Sequence, residues 1–115
     1  MKGLAMTTIQ AHSPLATLIN VFTVAPERAS ELAELLRVAT EEKMQFVPGF
    51  ISANIHVSTD GTRVLNYAQW QSAEAYQVML DDPAAREHMG RCAAVATSFE
   101  PHLYTVESVH QAPSV

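Results

Sequence analysis

The sequence predicts one α+β domain in which four antiparallel strands carry helices on one face. Two observations predict it. Segments rich in β-branched and apolar residues are separated by stretches with helical spacing, in the order β-α-β-β-α-β. That order is the ferredoxin-like arrangement. Between the second and third strands stands Ser58-Thr59-Asp60-Gly61-Thr62, a hairpin signal because Gly61 supplies the positive φ that a tight turn demands.

Residues 1–13 are small and polar and read as a flexible N-terminal arm ahead of a domain spanning 14–110. The run ATLINVFTV from Ala16 is the first strand, with Leu18, Asn20, Phe22 and Val24 sharing a face. Pro26 suits the first turn of a helix, and Glu27 complements its positive end. Leu32, Leu35, Leu36 and Ala39 recur on one side, with Glu31, Glu34, Arg37 and Glu41 on the other. This helix runs to about residue 45, stopped by Pro48-Gly49.

Phe50 to Val57 is the second strand, with Ile51, Ala53, Ile55 and Val57 on one face and Phe50, Ser52, Asn54 and His56 on the other. Arg63 to Trp70 returns as the third. Ser72 is the N-cap of a helix to about residue 81, and Asp82-Pro83 breaks it before a second helical piece to about residue 96. The last strand is predicted over 101–110, and 111–115 is a tail. Helices on one face leave the other, with Tyr67 and Gln69, uncovered. Such a face in so small a domain meets a partner, most simply a second copy joined sheet to sheet.

With 115 residues, 48% hydrophobic and 17% charged, the chain is a single globular domain. Its net charge of −5 and lack of a basic cluster exclude nucleic acid and anionic membrane surfaces as expected partners. No stretch approaches the roughly 20 apolar residues of a membrane span. Met1 to Pro14 has no continuous apolar core and does not read as a secretory signal. The single Cys92 cannot form an internal disulfide and fits a reducing compartment, so the expected location is cytoplasmic. No Gly-rich dinucleotide loop, His-x-x-x-His or Cys-x-x-Cys spacing, or Gly-x-Ser-x-Gly elbow occurs, so no metal or cofactor is expected.

Residues 47–80, VPGFISANIHVSTDGTRVLNYAQWQSAEAYQVML, resemble the signature region of the antibiotic biosynthesis monooxygenases. The flanking TLINVFTVAPERASELAELL and FEPHLYTVESVH are similar to that family's first strand and helix and its last strand, so the resemblance covers about residues 15–110. It implies a dimeric α+β barrel. It also implies oxidation of a phenolic or anthrone-type aromatic polyketide to a quinone by molecular oxygen, without metal, flavin or haem. Oxygen chemistry without a cofactor requires the substrate, as its anion, to supply the electrons.

Asn66 and Trp70 are four apart on one strand and share a face with Val64 and Ala68. The resemblance makes that face a cavity wall and Asn66 and Trp70 the candidate catalytic pair, hydrogen-bonding a substrate hydroxyl or oxyanion. On the residues alone, the reading favoured is Trp70 as core and Asn66 as a backbone tie. Candidate substrate-binding residues are Asn20 and Phe22 on the first strand, Tyr76 after Trp70, and His56. A lone amide such as Asn20 among apolar neighbours needs a partner, from the protein or from a ligand. His56 is a candidate general base, imidazole being the side chain that titrates near neutral pH, although its parity opposes the apolar face of its strand. Arg86 and His88 read as a solvated helix face, Cys92 as a small buried residue, and Met44, Met79 and Met89 as packing. Two alternatives stand beside the leading function. One is haem degradation on the same fold, for which Met79 stands in place of an expected Trp and His88 lies near the axial position. The other is a non-catalytic dimeric domain that binds small molecules or serves as a stress accessory.

Overall fold

Residues 7–114 are described by a computed structural model; residues 1–6 of the expected arm and Val115 of the tail lie outside the described residues. β1 (Ala16–Thr23) is an inner strand. It pairs antiparallel with β3 (Arg63–Trp70) on one side and β4 (Ser98–Tyr104) on the other, and β2 (Phe50–Val57) completes the order β2-β3-β1-β4. α1 (Ala29–Glu42), α2 (Ala73–Leu80) and α3 (Pro83–Val95) cover one face. Leu18, Phe22, Val64, Ala68 and Trp70 are buried beneath them, as alternation along β1 and β3 requires. Leu32, Leu36 and Ala39 form the buried stripe of α1, while Arg37 bridges Glu34 and Glu41 on its outer side.

The turns follow the local chemistry. Asp60 Oδ1 accepts from Ser58 Oγ at 2.8 Å, Thr62 N at 3.0 Å and Thr62 Oγ1 at 2.7 Å, and Gly61 takes φ +75°. Ser72 Oγ caps α2 by accepting from Ala75 N at 3.1 Å, a contact worth about 1 kcal/mol. Asp82 Oδ1 caps α3 through Ala84 N and Ala85 N, and its other oxygen meets Lys43 Nζ at 2.8 Å, tying the end of α1 to the start of α3.

Four features depart from the sequence reading. The helix expected from Pro26 to about residue 45 is α1 flanked by 3-10 turns at Pro26–Arg28 and Met44–Phe46. The last strand is not 101–110 but Ser98–Tyr104, because β1 supplies ladder partners only from Thr23↔Ser98 to Thr17↔Tyr104. Pro101 is tolerated because β4 is an edge strand. In β2 the register shifts between Phe50 and Ser52, so Phe50 pairs with Trp70 and turns to the helix side. Finally, the outer sheet face is not bare throughout. Asn54 Nδ2 donates to Thr7 Oγ1 at 2.6 Å, and Gln69 Nε2 donates to Thr8 O at 2.7 Å, which leaves Gln69 4% exposed. This part of the expected arm is tied across one end of the face.

Candidate active site

β1 and β3 form the floor of a cavity of about 110 Å³, roofed by α1, α2 and α3. Most of its wall is apolar. Phe50 meets Trp70 edge-on with ring centroids 5.5 Å apart, and Tyr76 meets it at 6.1 Å. These contacts fix the indole plane, and Trp70 is 2% exposed.

Three buried polar atoms break the apolar lining. Asn20 and Asn66 are direct cross-strand partners on β1 and β3, and both line the cavity. Asn20 Oδ1, Asn66 Oδ1 and Trp70 Nε1 are enclosed and have no hydrogen-bond partner. Buried polar atoms are almost always paired, so three orphans on one wall mark a place for a polar ligand. The amide assignments are interchangeable by a flip, so each Asn can present an acceptor or a donor there. Trp70 presents only a donor.

Five of the six predicted site residues therefore line this cavity: Asn66, Trp70, Asn20, Phe22 and Tyr76. His56 does not. It faces Leu65 across the outer side of β2, is exposed, and has Nδ1 3.3 Å from Asn54 O. The uninterrupted alternation of Ala53 to Val57 puts it there, and it is not a cavity residue. His88 pairs with Arg91 on α3, likewise off the cavity wall, so the axial ligand that a haem reading needs is not presented to it.

Sequence reasoning missed Phe50, which the bulge brings in, and Phe99 on β4, whose ring lies 6.0 Å from Phe22. It also read Cys92, Met44, Met79 and Met89 only as packing, whereas all four reach the cavity. Burial raises the Tyr76 phenol above its ordinary range. Burial also pushes the Cys92 thiol up to about 11, opposed weakly by Arg91. No other ionisable side chain lines the cavity among the described residues. Nor does any group of three His, Cys, Asp or Glu stand together among them so as to hold a metal ion, and no helix is long and apolar enough to cross a membrane.

A ferredoxin-like domain with an aromatic-walled cavity between sheet and helices defines the class of the molecule. A family model for antibiotic biosynthesis monooxygenases matches residues 15–91, and the chain belongs to that family. It is 44% identical over 91 residues to tetracenomycin F1 monooxygenase of Streptomyces glaucescens, covering 79% of this chain and 81% of that one. Among solved structures it is similar to the ActVA-Orf6 monooxygenase of Streptomyces coelicolor in complex with nanaomycin D. That match has a TM-score of 0.74 and 30% identity over 87% of this chain and 93% of the other. SnoaB, a cofactor-independent oxygenase from Streptomyces nogalater, shares the fold at TM-score 0.69 and 23% identity, over 84% of this chain and 97% of that one. The chain is thus a monooxygenase of this family.

Proposed function

We propose that this enzyme oxidises a polycyclic phenolic, anthrone-type polyketide to a quinone with molecular oxygen and without metal or organic cofactor. The observation that carries the reading is the set of three unpartnered atoms, Asn20 Oδ1, Asn66 Oδ1 and Trp70 Nε1, on the wall of an otherwise apolar cavity. A flat aromatic fills such a space; its hydroxyl donates to an amide oxygen, and as an oxyanion it accepts from Trp70 Nε1 and from an amide NH2 flipped towards it. The relatives support the substrate class: one is named for tetracenomycin F1, and another was solved with nanaomycin D bound.

The substrate supplies all four electrons that oxygen takes up, two in forming the peroxide and two as it collapses. Its phenolate passes one electron to oxygen, and the radical pair recombines to a carbon-bound peroxide. Loss of water then leaves the carbonyl, so one oxygen atom enters the product and the other leaves in water. Donors fixed in a closed apolar site stabilise the anion without reorganisation, and this is what Asn66 and Trp70 contribute. Asn20, Phe22 and Tyr76 orient the rings. A site for a drug-sized ligand is about 300–1,000 Å³, so the wall moves outward on binding. Unbranched Met44, Met79 and Met89 re-pack most readily.

The working form is a homodimer joined through the outer sheet faces, in the cytoplasm. Oxygen uptake by chelator-treated protein, measured against anthrones, naphthols and hydroquinones, tests the reaction. Uptake that survives chelation is expected; none with any of these phenols would overturn the reading.

A further inference from the structure

The proposed chemistry makes a peroxide inside a cavity whose wall carries three thioethers, Met44, Met79 and Met89. Met79 is 4% exposed and belongs to the same core cluster as Trp70 and Tyr76, with Met44 and Met89 packed against that cluster. A thioether attacks peroxide oxygen without first ionising. The nearby thiol does not share this reactivity, because the thiolate is the reactive form and Cys92, held near 11 by burial, stays protonated at neutral pH.

We propose that Met79 is a turnover-dependent oxidation site, converted to its sulfoxide by the substrate hydroperoxide formed beside Asn66 and Trp70. The inference rests on the monooxygenase reading above. The Met79 sulfur attacks the distal peroxide oxygen, the O–O bond breaks and an S–O bond forms. The proton on the distal oxygen passes to the oxygen left on the substrate, which departs as an alcohol. Sulfur is oxidised by two electrons and the peroxide reduced by two. The sulfoxide then places a polar, chiral group in the cluster that holds Leu18, Val47 and Ala68, in place of the adaptable chain that made room for substrate. Each peroxide diverted from quinone formation therefore costs one enzyme its activity until the sulfoxide is reduced.

The test uses the purified protein turned over in air with an anthrone, beside an anaerobic copy and a copy given hydrogen peroxide alone. Peptide mass spectrometry follows the gain of one oxygen at each methionine. An oxidant born in the cavity reaches Met79 at least as fast as Met44 and Met89. Peroxide entering from bulk meets those two, both less buried, first. The expected result is Met79 oxidation in step with turnover and loss of rate, absent under nitrogen and with its order reversed by added peroxide. Met79→Leu, compared with wild type after each is normalised to its own initial rate, is expected to survive several-fold more turnovers. Oxygen consumed and activity lost with all three thioethers intact, or Met79 oxidised last under turnover, would overturn the site. Oxygen uptake is recorded separately, and its absence would overturn the oxygenase reading itself and this inference with it.

Discussion

Asn20 and Asn66 stand opposite each other across the β1–β3 ladder, and the carbonyl oxygen of each amide is enclosed without a hydrogen-bond partner. An unsatisfied buried acceptor costs about 1–3 kcal/mol. Leu18, Phe22, Val64 and Ala68 share that face, so a leucine at either position would suit the fold better. Polar groups kept at the expense of stability are characteristic of binding sites.

Asn66→Leu is accordingly expected to raise the melting temperature while lowering kcat by about 10²-fold, the usual loss for one oxyanion donor. Thermal unfolding and kcat are measured on the same preparation. A fall in both would make Asn66 a structural residue instead.

Trp70→Phe keeps a flat apolar ring against Phe50 and Tyr76 but removes the Nε1 donor. The expected signature is a kcat loss of about 10²-fold with a much smaller change in KM, because the stabilised charge appears on the way to the transition state. A rise in KM at constant kcat would assign Trp70 to binding alone.

The hairpin and the β3 face were legible in the sequence because each rests on a local rule: Asp60-Gly61 for the turn and alternation for Val64, Asn66, Ala68 and Trp70. Asn20 was legible for the same reason, as an amide in phase with Leu18 and Phe22. Phe50 was not, since a single extra residue at the bulge reverses parity and nothing in FISANIHV announces it. The end of β4 depends on where β1 stops, a non-local fact. Thr7 and Thr8 hold the outer face through one hydroxyl and one carbonyl, which leave no periodic trace.

Gly49 takes φ +90°, and a Cβ there would stand 2.4 Å from Ala75 Cβ. Its carbonyl also accepts from Gln71 N at 2.8 Å, so the turn fixes α2 against the end of β3. Gly49→Ala is expected to cost about 1–3 kcal/mol from backbone strain, with a further loss from displaced Ala75 and hence Tyr76. Chemical denaturation measures it; an unchanged midpoint would mean that the turn relaxes freely.

The outer face beyond Thr7 and Thr8 carries Ile19, Val21, Leu65 and Tyr67, all half-buried in the isolated chain. Sedimentation at micromolar concentration is expected to show a dimer. Val21→Glu, placed beside Leu65 and Glu100, is expected to shift it to monomer. A wild-type monomer would count against pairing through this face.

The pH dependence separates the protein from its substrate. Tyr76 and Cys92 are the ionisable side chains on the cavity wall among the described residues, and burial raises both. For the thiol, folded and unfolded chains are equally protonated below its ordinary value of 9.0, and the stability tied to it is fully present there. As pH rises from 9.0 to about 11 the unfolded thiol ionises first, so this stability is lost. The melting temperature is expected to fall across that interval, less steeply in Cys92→Ala, with Tyr76 adding a fall of the same sign at higher pH. The rate should behave differently. Among the described residues no carboxylate or imidazole lines the cavity, so none of these wall groups takes the phenol proton near neutrality. The inflection in kcat/KM is then set by the substrate's own acidity and should move with it across a series of phenols of graded pKa. An inflection that stays fixed while the substrate changes would reveal a protein base and remove this account of the reaction.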